Sequence, residues 1–307
     1  MVEDPKKWVN KTEPSFWIAL HKPWFDRMRW NSIMEKGEYY ETGITAQFHE
    51  ILHTVQPKGI VVDVGMNIGW FTLYSRAMGH EVVGFDPNPI MHSRVCSARQ
   101  YNQWGWDDND HDKKSNGIGS SGITTFAYGL GNTSGTLNLT TGNNPGASSF
   151  HADRLNSKKK KHLLVPVTTL DIVATELGWL QPPEQPQTPH SPVIIHLLKI
   201  DTEGYEPWVI GGASQLLLSG LVHNIIVESS SKSDEQLSTM FLRLTHAGYQ
   251  IHLLSGVIGE AYHPEMIDPT NQELRSGKFF NTDSKYRTFF MNVSCNIWWK
   301  YKSVHTR

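Results

Sequence analysis

Two acidic residues and two glycines lie at the ends of neighbouring apolar runs and could together hold a nucleoside. The first run, IVVDV, contains Asp63 and continues into Gly65, Asn67 and Gly69. The second run, VVGF, is followed at once by Asp86. Two such runs joined by an amphipathic segment predict the first βαβ unit of a doubly wound sheet, with a ligand at the strand ends. The carboxylate at the tip of the second strand can accept hydrogen bonds from both hydroxyls of a ribose.

The glycine turn distinguishes between two classes of cofactor. Its glycines permit a tight turn and let the backbone approach a ligand closely. Its pattern, D-x-G-x-N-x-G, is not the G-x-G-x-x-G of dinucleotide-binding proteins, which bind a pyrophosphate. The turn therefore favours S-adenosylmethionine, which has no pyrophosphate. A dehydrogenase with a nicotinamide cofactor is the alternative, and the missing glycine spacing argues against it.

A second group of ionisable residues follows the later strand VIIHLLKID. Side chains two residues apart in a strand share a face, so Lys199 and Asp201 point to the same side. Glu203 extends that side beyond the strand, and Glu228 ends the next strand. The carboxyl ends of the strands form the ligand-binding edge of such a sheet, so these side chains can converge near the reactive end of the cofactor. Neighbouring carboxylates raise a carboxyl pKa and a lysine lowers it, and either effect could tune a general base.

Catalytic and structural roles are both open for these residues. In the catalytic interpretation Asp201 is the general base or a metal ligand, Lys199 orients it or stabilises developing alkoxide charge, and Glu203 acts beside them. Asp201 and Glu228 are then the candidate metal ligands, and their oxygens would suit Mg²⁺ or Mn²⁺. In the structural interpretation Lys199 and Glu203 form an internal ion pair and Glu228 is merely solvated, since structural ion pairs often resemble active sites.

Strand and helix patterns predict an α/β fold, a Rossmann-like doubly wound domain with a mostly parallel, seven-stranded sheet. Residues 1–57 predict a helical N-terminal extension, and residues 58–307 form the main domain. Polar, glycine-rich stretches predict loop insertions near 102–120, 141–161 and 255–284. The segment YEPWVIGGASQLLLSG predicts one helix, and YRTFFMNVSC predicts the last strand.

Composition excludes several classes of partner. The chain has 307 residues and a net charge of −2, which gives no general attraction to nucleic acid or an anionic membrane. No apolar run reaches the roughly 20 residues of a membrane helix, and no signal-peptide pattern is present. With only two cysteines, a reducing compartment and a cytoplasmic location are the default expectation. Four sequons would be glycosylation acceptors in a secretory lumen: Asn10, Asn132, Asn138 and Asn292.

Six segments, in this order, resemble the FkbM family of S-adenosylmethionine-dependent methyltransferases: VVDVGMNIGWFTLYS, VVGFDPNP, YGLGNTSGTLNL, VPVTTLDIV, LLKIDTEGYEPWVIGGA and IIVES. The resemblance covers roughly residues 58–254. The LLKIDTEGYE box together with the D-x-G-x-N-x-G turn is far more specific than a lone glycine motif.

The resemblance implies methylation of hydroxyl oxygens, often on sugars or natural products. It places Lys199, Asp201 and Glu203 beside the transferred methyl group. One departure is Asp86, where the family usually carries glutamate. The implied cofactor-binding residues are Asp63, Gly65, Asn67, Gly69 and Asp86.

The favoured hypothesis is therefore an O-methyltransferase that acts on a hydroxyl of a carbohydrate or glycan. The alternatives are O-methylation of a non-sugar small molecule and a non-catalytic glycan-binding or scaffold protein on the same fold. The acceptor pocket is expected in parts outside the family match. We expect the 141–161 loop to contact the acceptor and not the cofactor. Four tryptophans of the extension are further candidates, or else anchor it to the core: Trp8, Trp17, Trp24 and Trp30.

The segment HEILH, from His49 to His53, matches the zinc-protease signature H-E-x-x-H. On a helix the two histidines would share a face, but Pro57 ends the helix within about a turn, and no third ligand follows. In a chain with fifteen histidines such a short motif arises by chance. The segment instead predicts a helix that packs four apolar residues under the sheet: Phe48, Ile51, Leu52 and Val55.

Overall fold

The computed structural model describes residues 6–7, 14–24, 26, 33, 39–55, 59–104, 122–142, 146, 148–151, 160–180, 193–229, 234–253, 265–267 and 295–301. The strands are, in chain order, β1 (Lys6–Lys7), β2 (Trp17–Ile18), β3 (Ile60–Val64), β4 (Glu81–Phe85), β5 (Ile123–Phe126), β6 (Gly129–Leu130), β7 (Gly135–Thr141), β8 (Lys161–Thr168), β9 (Ile195–Ile200), β10 (Asn224–Ser229), β11 (Tyr249–Leu253), β12 (Glu265–Ile267) and β13 (Cys295–Tyr301). The helices are α1 (Thr42–His53), α2 (Trp70–Ala77), α3 (Pro89–Tyr101), α4 (Leu170–Glu176), α5 (Glu206–Gly211), α6 (Ser214–Leu218) and α7 (Asp234–His246).

A mostly parallel sheet forms the centre of this mixed α/β structure. Its strand order is β12-β11-β13-β10-β9-β3-β4-β5, and the five strands from β10 to β5 are parallel to one another. β13 lies antiparallel between β10 and β11. Within the described residues the central sheet thus has eight strands, where the sequence predicted seven. The extra strand, β12, is three residues long and lies in the predicted 255–284 insertion, and so short a segment has no readable periodicity.

Helices cover both faces of the sheet, and alternate side chains of its strands pack against one set of helices or the other. Val62 and Leu198 belong to one buried cluster, which includes residues of α4, α5, α6 and α7. Val61 and Leu197, their chain neighbours, belong to the other cluster, which includes residues of α1, α2 and α3. Successive side chains of a strand point to opposite faces, so strands buried on both faces need continuous apolar runs. This explains why β3 and β9 showed no polar alternation in the sequence.

Helix boundaries follow both local and distant caps. The sequence VPVTTLDIVATEL predicts a strand, a threonine N-cap and a helix, and the side chain of Thr169 does accept a hydrogen bond from the Ile172 amide at the start of α4. The single helix predicted after Tyr205 is instead two helices, α5 and α6, which are separated at Gly212 and Ala213. The carboxylate of Asp171, on α4, accepts from the Gln215 and Leu216 amides at 3.0 and 2.9 Å. A side chain from another helix therefore caps α6.

The predicted extension is not simply helical where the structure describes it. β2 pairs antiparallel with β1, and the backbone of Trp17 exchanges two hydrogen bonds of 2.8 Å with the side-chain amide of Asn102 at the end of α3. Phe16 and Ile18, on either side, are buried. Trp17 therefore anchors the extension to α3, in agreement with the structural alternative for that tryptophan. Trp8 and Trp30 lie outside the described residues.

A small second sheet, in the order β6-β8-β7, lies beside the central one. The 141–161 segment connects its strands β7 and β8, and Ser149 pairs with Thr140 as an isolated bridge. The last strand differs from its prediction, because β13 begins at Cys295 and the predicted segment 286–294 lies outside the described residues. No helix in the described part of the chain is long and apolar enough to cross a membrane.

Candidate active site

A cavity of about 290 Å³ opens at the carboxyl ends of β3, β4, β9 and β10. This is the edge at which open α/β sheets bind their ligands. Six of the predicted site residues line it, and three do not: Asp63, Gly69 and Lys199. Its wall includes Tyr40, Glu41, Gly65, Asn67, Asp86, Tyr128, Ser148, Ser149, Phe150, Asp201, Glu203 and Glu228.

Asp86 presents a carboxylate that the backbone holds in place. One oxygen accepts from the Asn67 amide at 3.0 Å, and the other accepts from the Asn88 amide at 2.8 Å. Burial raises the pKa of Asp86 to about 7, although these two hydrogen bonds oppose the rise. Each carboxylate oxygen retains a second lone pair, so the group can still accept hydrogen bonds from a ligand.

The glycine turn uses its own amides internally. The amides of Gly65 and Met66 donate to the Phe85 carbonyl, and the Gly69 amide donates to the Met66 carbonyl. The Ile68 amide donates to the side-chain oxygen of Asn67 at 2.9 Å. Together with the Asn67 amide, all five amides from residue 65 to 69 are bonded within the protein. A pyrophosphate site needs such amides to point at the ligand.

The two glycines of the turn serve close packing. Both have left-handed backbone conformations, with φ of 81° at Gly65 and 86° at Gly69. A Cβ atom on Gly65 would overlap the carbonyl of Asp201, so this glycine lets β3 and the end of β9 meet. A Cβ atom on Gly69 would lie 2.6 Å from a methyl carbon of Val95 on α3. Gly69 therefore supports the packing of α2 and α3, and it does not line the cavity.

Asp63 lies beneath the turn and is fully buried. Its carboxylate accepts a hydrogen bond of 2.7 Å from the Thr72 hydroxyl, and it does not line the cavity. Burial raises the pKa of Asp63, while Lys199 and Thr72 act in the opposite direction. The structure therefore places Asp63 as a buried partner of α2 and of Lys199.

Lys199 and Asp201 form the ion pair at the centre of the site. The Lys199 ammonium lies 2.9 Å from Asp201 and 4.9 Å from the centre of the Phe71 ring. Burial alone would lower the pKa of Lys199, but Asp201, Asp63 and Glu41 outweigh it and raise the pKa, so the ammonium keeps its charge. The structural interpretation paired Lys199 with Glu203. In the structure Lys199 pairs with Asp201, and Glu203 is exposed at the rim of the cavity. A strand places residues 199 and 201 on one face, and Glu203 lies beyond the turn.

Glu228, at the end of β10, interacts directly with Asp201. The charge of Asp201, together with burial and a hydrogen bond between the two side chains, raises the pKa of Glu228 well above its ordinary value. The raised pKa favours a proton on Glu228 beside the Asp201 carboxylate, and Lys199 offsets the charge of Asp201. The predicted convergence of Lys199, Asp201 and Glu228 is present in the structure.

Glu206 was not singled out in the sequence, yet it organises the turn after β9. Only 1% of this residue is exposed, and one of its oxygens accepts three hydrogen bonds. The donors are the Thr202 amide at 2.9 Å, the Thr202 hydroxyl at 3.1 Å and the Gly204 amide at 2.9 Å. Between them Glu203 adopts a left-handed backbone, with φ of 55°. A glutamate in the first turn of α5, directly before Pro207, was the available signal.

The described part of the 141–161 loop contacts the ends of β3, β4 and β9 around the cavity. The side-chain amide of Asn67 donates to the Gly146 carbonyl at 3.0 Å, and that of Asn88 donates to the Ser148 hydroxyl at 3.3 Å. The Ser149 hydroxyl donates to the Glu203 carbonyl at 3.1 Å. The loop therefore contacts residues at both ends of the cavity, and our expectation that it contacts the acceptor and not the cofactor stays a prediction.

The H-E-x-x-H segment lies away from this cavity. His49 is hydrogen-bonded to the Tyr74 hydroxyl at 3.0 Å, and a ring nitrogen of His53 lies 3.0 Å from the His49 carbonyl. α1 ends at His53, and Phe48 and Leu52 are fully buried beneath the sheet. Phe48, Ile51 and Leu52 thus have the packing role that the sequence predicted, whereas Val55 lies beyond the end of α1 and is half-buried.

The carboxylates of the cavity do not form an evident metal site. Lys199 already occupies one oxygen of Asp201, and Glu228 is hydrogen-bonded to the same carboxylate. Among the residues that the structure describes, no three histidine, cysteine or acidic side chains are grouped to hold an ion. The donor set therefore fits the Lys199 ammonium better than Mg²⁺ or Mn²⁺.

Sequence comparison identifies the family. The sequence model of the methyltransferase FkbM domain matches residues 63–251, which include both the glycine turn and the box around Asp201. The chain belongs to the FkbM methyltransferase family. The resemblance noted in the sequence is thus confirmed, and both segments that carry it contribute residues to the cavity. Tyr40 and Glu41, which also line it, precede the matched residues.

A solved structure is similar to this FkbM methyltransferase, namely the crystal structure of methyltransferase FkbM from Methylobacillus flagellatus KT. The two chains are 17% identical, and the match covers 69% of this chain with a TM-score of 0.40. It spans 47%, or about half, of the length of the solved chain. The search of curated proteins found no match.

Proposed function

We propose that this protein is an S-adenosylmethionine-dependent O-methyltransferase whose acceptor is a hydroxyl of a carbohydrate. The observation that carries the proposal is the arrangement of Asp86 beside the glycine turn. The carboxylate of Asp86 faces the cavity, where it can accept hydrogen bonds from both hydroxyls of a ribose. All five turn amides are bonded internally, which leaves no cradle for a pyrophosphate. A nucleoside without phosphates fits this site better than NAD or NADP does.

The order of the strands determines the order of the site residues across the cavity. Asp86 follows β4, Gly65 follows β3, Asp201 follows β9 and Glu228 ends β10, and these four strands are neighbours in that order. A nucleoside bound at Asp86 therefore extends over β3 toward Asp201. When bound, the cofactor would supply a methyl group to in-line attack by the acceptor oxygen, with cleavage of its sulfur–carbon bond and release of S-adenosylhomocysteine. The protein contributes mainly alignment, and correct positioning can supply several kcal/mol of the barrier, about 7–11 in favourable cases.

The carboxyl pair supplies the base in this proposal. A sugar hydroxyl is a weak nucleophile, and a positioned base is worth about 10²- to 10⁴-fold in rate. Asp201 accepts the hydroxyl proton as the new oxygen–carbon bond forms. Lys199, at 2.9 Å, keeps the Asp201 carboxylate oriented. The charge of Asp201 raises the pKa of Glu228, which favours a protonated Glu228 that does not compete for the acceptor proton.

The cavity wall supports a carbohydrate acceptor over a flat apolar one. It combines aromatic side chains with short hydroxyl side chains, namely Tyr128 and Phe150 with Ser148 and Ser149. Aromatic faces pack on the C–H surfaces of sugar rings, and hydroxyl groups both donate and accept hydrogen bonds. Phe150 is fixed by its contact with Tyr205, with ring centres 4.9 Å apart.

Calorimetry with S-adenosylhomocysteine, NAD and NADP tests the cofactor. We expect binding of S-adenosylhomocysteine alone, and Asp86→Ala should weaken it by about 1.5–3 kcal/mol, the worth of charged hydrogen bonds. Binding of NAD without binding of S-adenosylhomocysteine would contradict the proposal.

Labelled S-adenosylmethionine with a panel of glycans and non-sugar alcohols tests the acceptor. Label on a sugar oxygen is expected. Label only on non-sugar hydroxyls would leave an O-methyltransferase with another acceptor. Glycan binding without any affinity for S-adenosylhomocysteine would indicate a non-catalytic glycan-binding protein.

A further inference from the structure

Glu41, a residue of the N-terminal extension, lies on the wall of the methyltransferase cavity. It lines the main cavity and also a smaller pocket between the glycine turn and the Lys199–Asp201 pair. It immediately precedes α1, yet its side chain makes no hydrogen bond that caps this helix. Its backbone is left-handed, with φ of 47°, a conformation that costs a residue other than glycine and often marks a functional position.

The extension is fastened to the glycine turn at this point. The hydroxyl of Thr45, a buried residue of α1, donates to the Tyr40 carbonyl at 2.7 Å. The indole N–H of Trp70, the first residue of α2, donates to the same hydroxyl at 3.0 Å. The Thr45 amide donates to the Glu41 carbonyl at 2.9 Å. Glu41 therefore holds a fixed position relative to the turn at residues 65–69, although the two segments are distant in sequence.

The order of strands decides which part of a cofactor meets Glu41. A nucleoside anchored at Asp86 on the β4 side extends over β3 toward β9, so its non-nucleoside end lies over Gly65 and Asp201. These two residues, with Lys199, are the neighbours of Glu41 in the smaller pocket. In the cofactor of the proposed function this end is an amino acid, which carries an ammonium group.

We propose that the carboxylate of Glu41 binds the α-ammonium group of the cofactor's methionyl moiety. This inference rests on the proposed function, because it assumes S-adenosylmethionine in the cavity. An ammonium group needs acceptors of opposite charge, and a carboxylate provides them in a charge-assisted hydrogen bond. Asp86 is at the ribose end, whereas Glu41 places a carboxylate in the smaller pocket beside Gly65 and Asp201, where the amino-acid end of the cofactor lies. The contact comes from a segment outside the FkbM domain match at residues 63–251.

Two ligands that differ only at this end give the test. S-adenosylhomocysteine carries the amino-acid group, and 5′-methylthioadenosine lacks it. We would measure the affinity of both ligands by calorimetry for the wild-type protein, Glu41→Gln and the control Asp86→Asn. Glu41→Gln should weaken the affinity for S-adenosylhomocysteine about 10- to 100-fold and leave the affinity for methylthioadenosine within about twofold of wild type. Asp86→Asn should weaken both ligands by similar factors, because it acts on the shared ribose.

The outcomes separate this inference from the function on which it rests. Unchanged binding of S-adenosylhomocysteine to Glu41→Gln overturns it, and so does an equal loss for both ligands. A raised acceptor KM with unchanged cofactor affinity also overturns it and places Glu41 at the acceptor. Failure of the wild-type protein to bind S-adenosylhomocysteine defeats the proposed function itself, and this inference with it. Glu41→Asn is a second variant should Gln impair folding, since asparagine tolerates the left-handed backbone.

Discussion

Replacing Glu206 tests whether its buried carboxylate stabilises the turn after β9, at residues 202–204. Glu206→Ala removes the acceptor of the Thr202 and Gly204 amides, at 2.9 Å each. A buried amide without a partner costs about 1–3 kcal/mol, so the two together predict a loss of about 2–6 kcal/mol in the free energy of unfolding. Glu206→Gln keeps an acceptor oxygen at the same position. Burial raises the pKa of Glu206, so the surroundings favour an uncharged group, and we expect this variant to lose about 1 kcal/mol or less.

Urea denaturation, followed by tryptophan fluorescence, compares the two variants. The raised pKa means that the folded protein binds more protons than the unfolded chain above pH 4.5, the ordinary value for this group. The wild-type protein should have the larger free energy of unfolding, and its difference from Glu206→Gln should therefore shrink as the pH rises from about 4.5 through the folded-state pKa. Glu206→Ala should also lose turnover, because the turn positions Asp201, while S-adenosylhomocysteine binding at Asp86 stays within a few-fold. Equal unfolding free energies for the Ala and Gln variants would refute this reasoning.

Further predictions concern the cofactor end, the base and the histidine motif. Since the pKa of Asp86 is about 7 and its ionised form accepts the ribose hydroxyls, affinity for S-adenosylhomocysteine should fall about tenfold from pH 8 to pH 6 in calorimetry. Asp86→Asn should abolish that pH dependence, and a slope that persists would assign it to another group. Asp201→Asn should stop turnover but leave cofactor affinity within a few-fold, and a normal rate would make Asp201 structural. Activity should survive exhaustive chelation, whereas loss restored by Mg²⁺ would revive the metal mechanism. His49→Ala and His53→Ala should lose activity only to the extent that their reduced stability explains. Elemental analysis of the wild-type protein should find no stoichiometric zinc.

The sequence by itself determined the elements of the first βαβ unit. The apolar runs at β3 and β4, the stripe of α2 and the Thr169 cap of α4 all appear as predicted. These signals are local, because burial on both faces, helical periodicity and capping each depend on residues within a few positions. The box at Lys199 and Asp201 was readable for the same reason, since strand geometry fixes which neighbours share a face.

Only the tertiary structure decided which residues reach the cavity. Asp63 and Gly69 belong to the same motif as Asn67, yet Asp63 is hydrogen-bonded to Thr72 of α2 and Gly69 packs closely against Val95 of α3. The extension and the 141–161 loop complete the wall through contacts between residues far apart in sequence, such as Asn67 with Gly146. Contacts of this kind follow from how the layers pack, and no spacing along the chain encodes them. The same packing brings Glu41 to the glycine turn and places Glu228 beside Asp201, so the charges of the site were fixed by the fold.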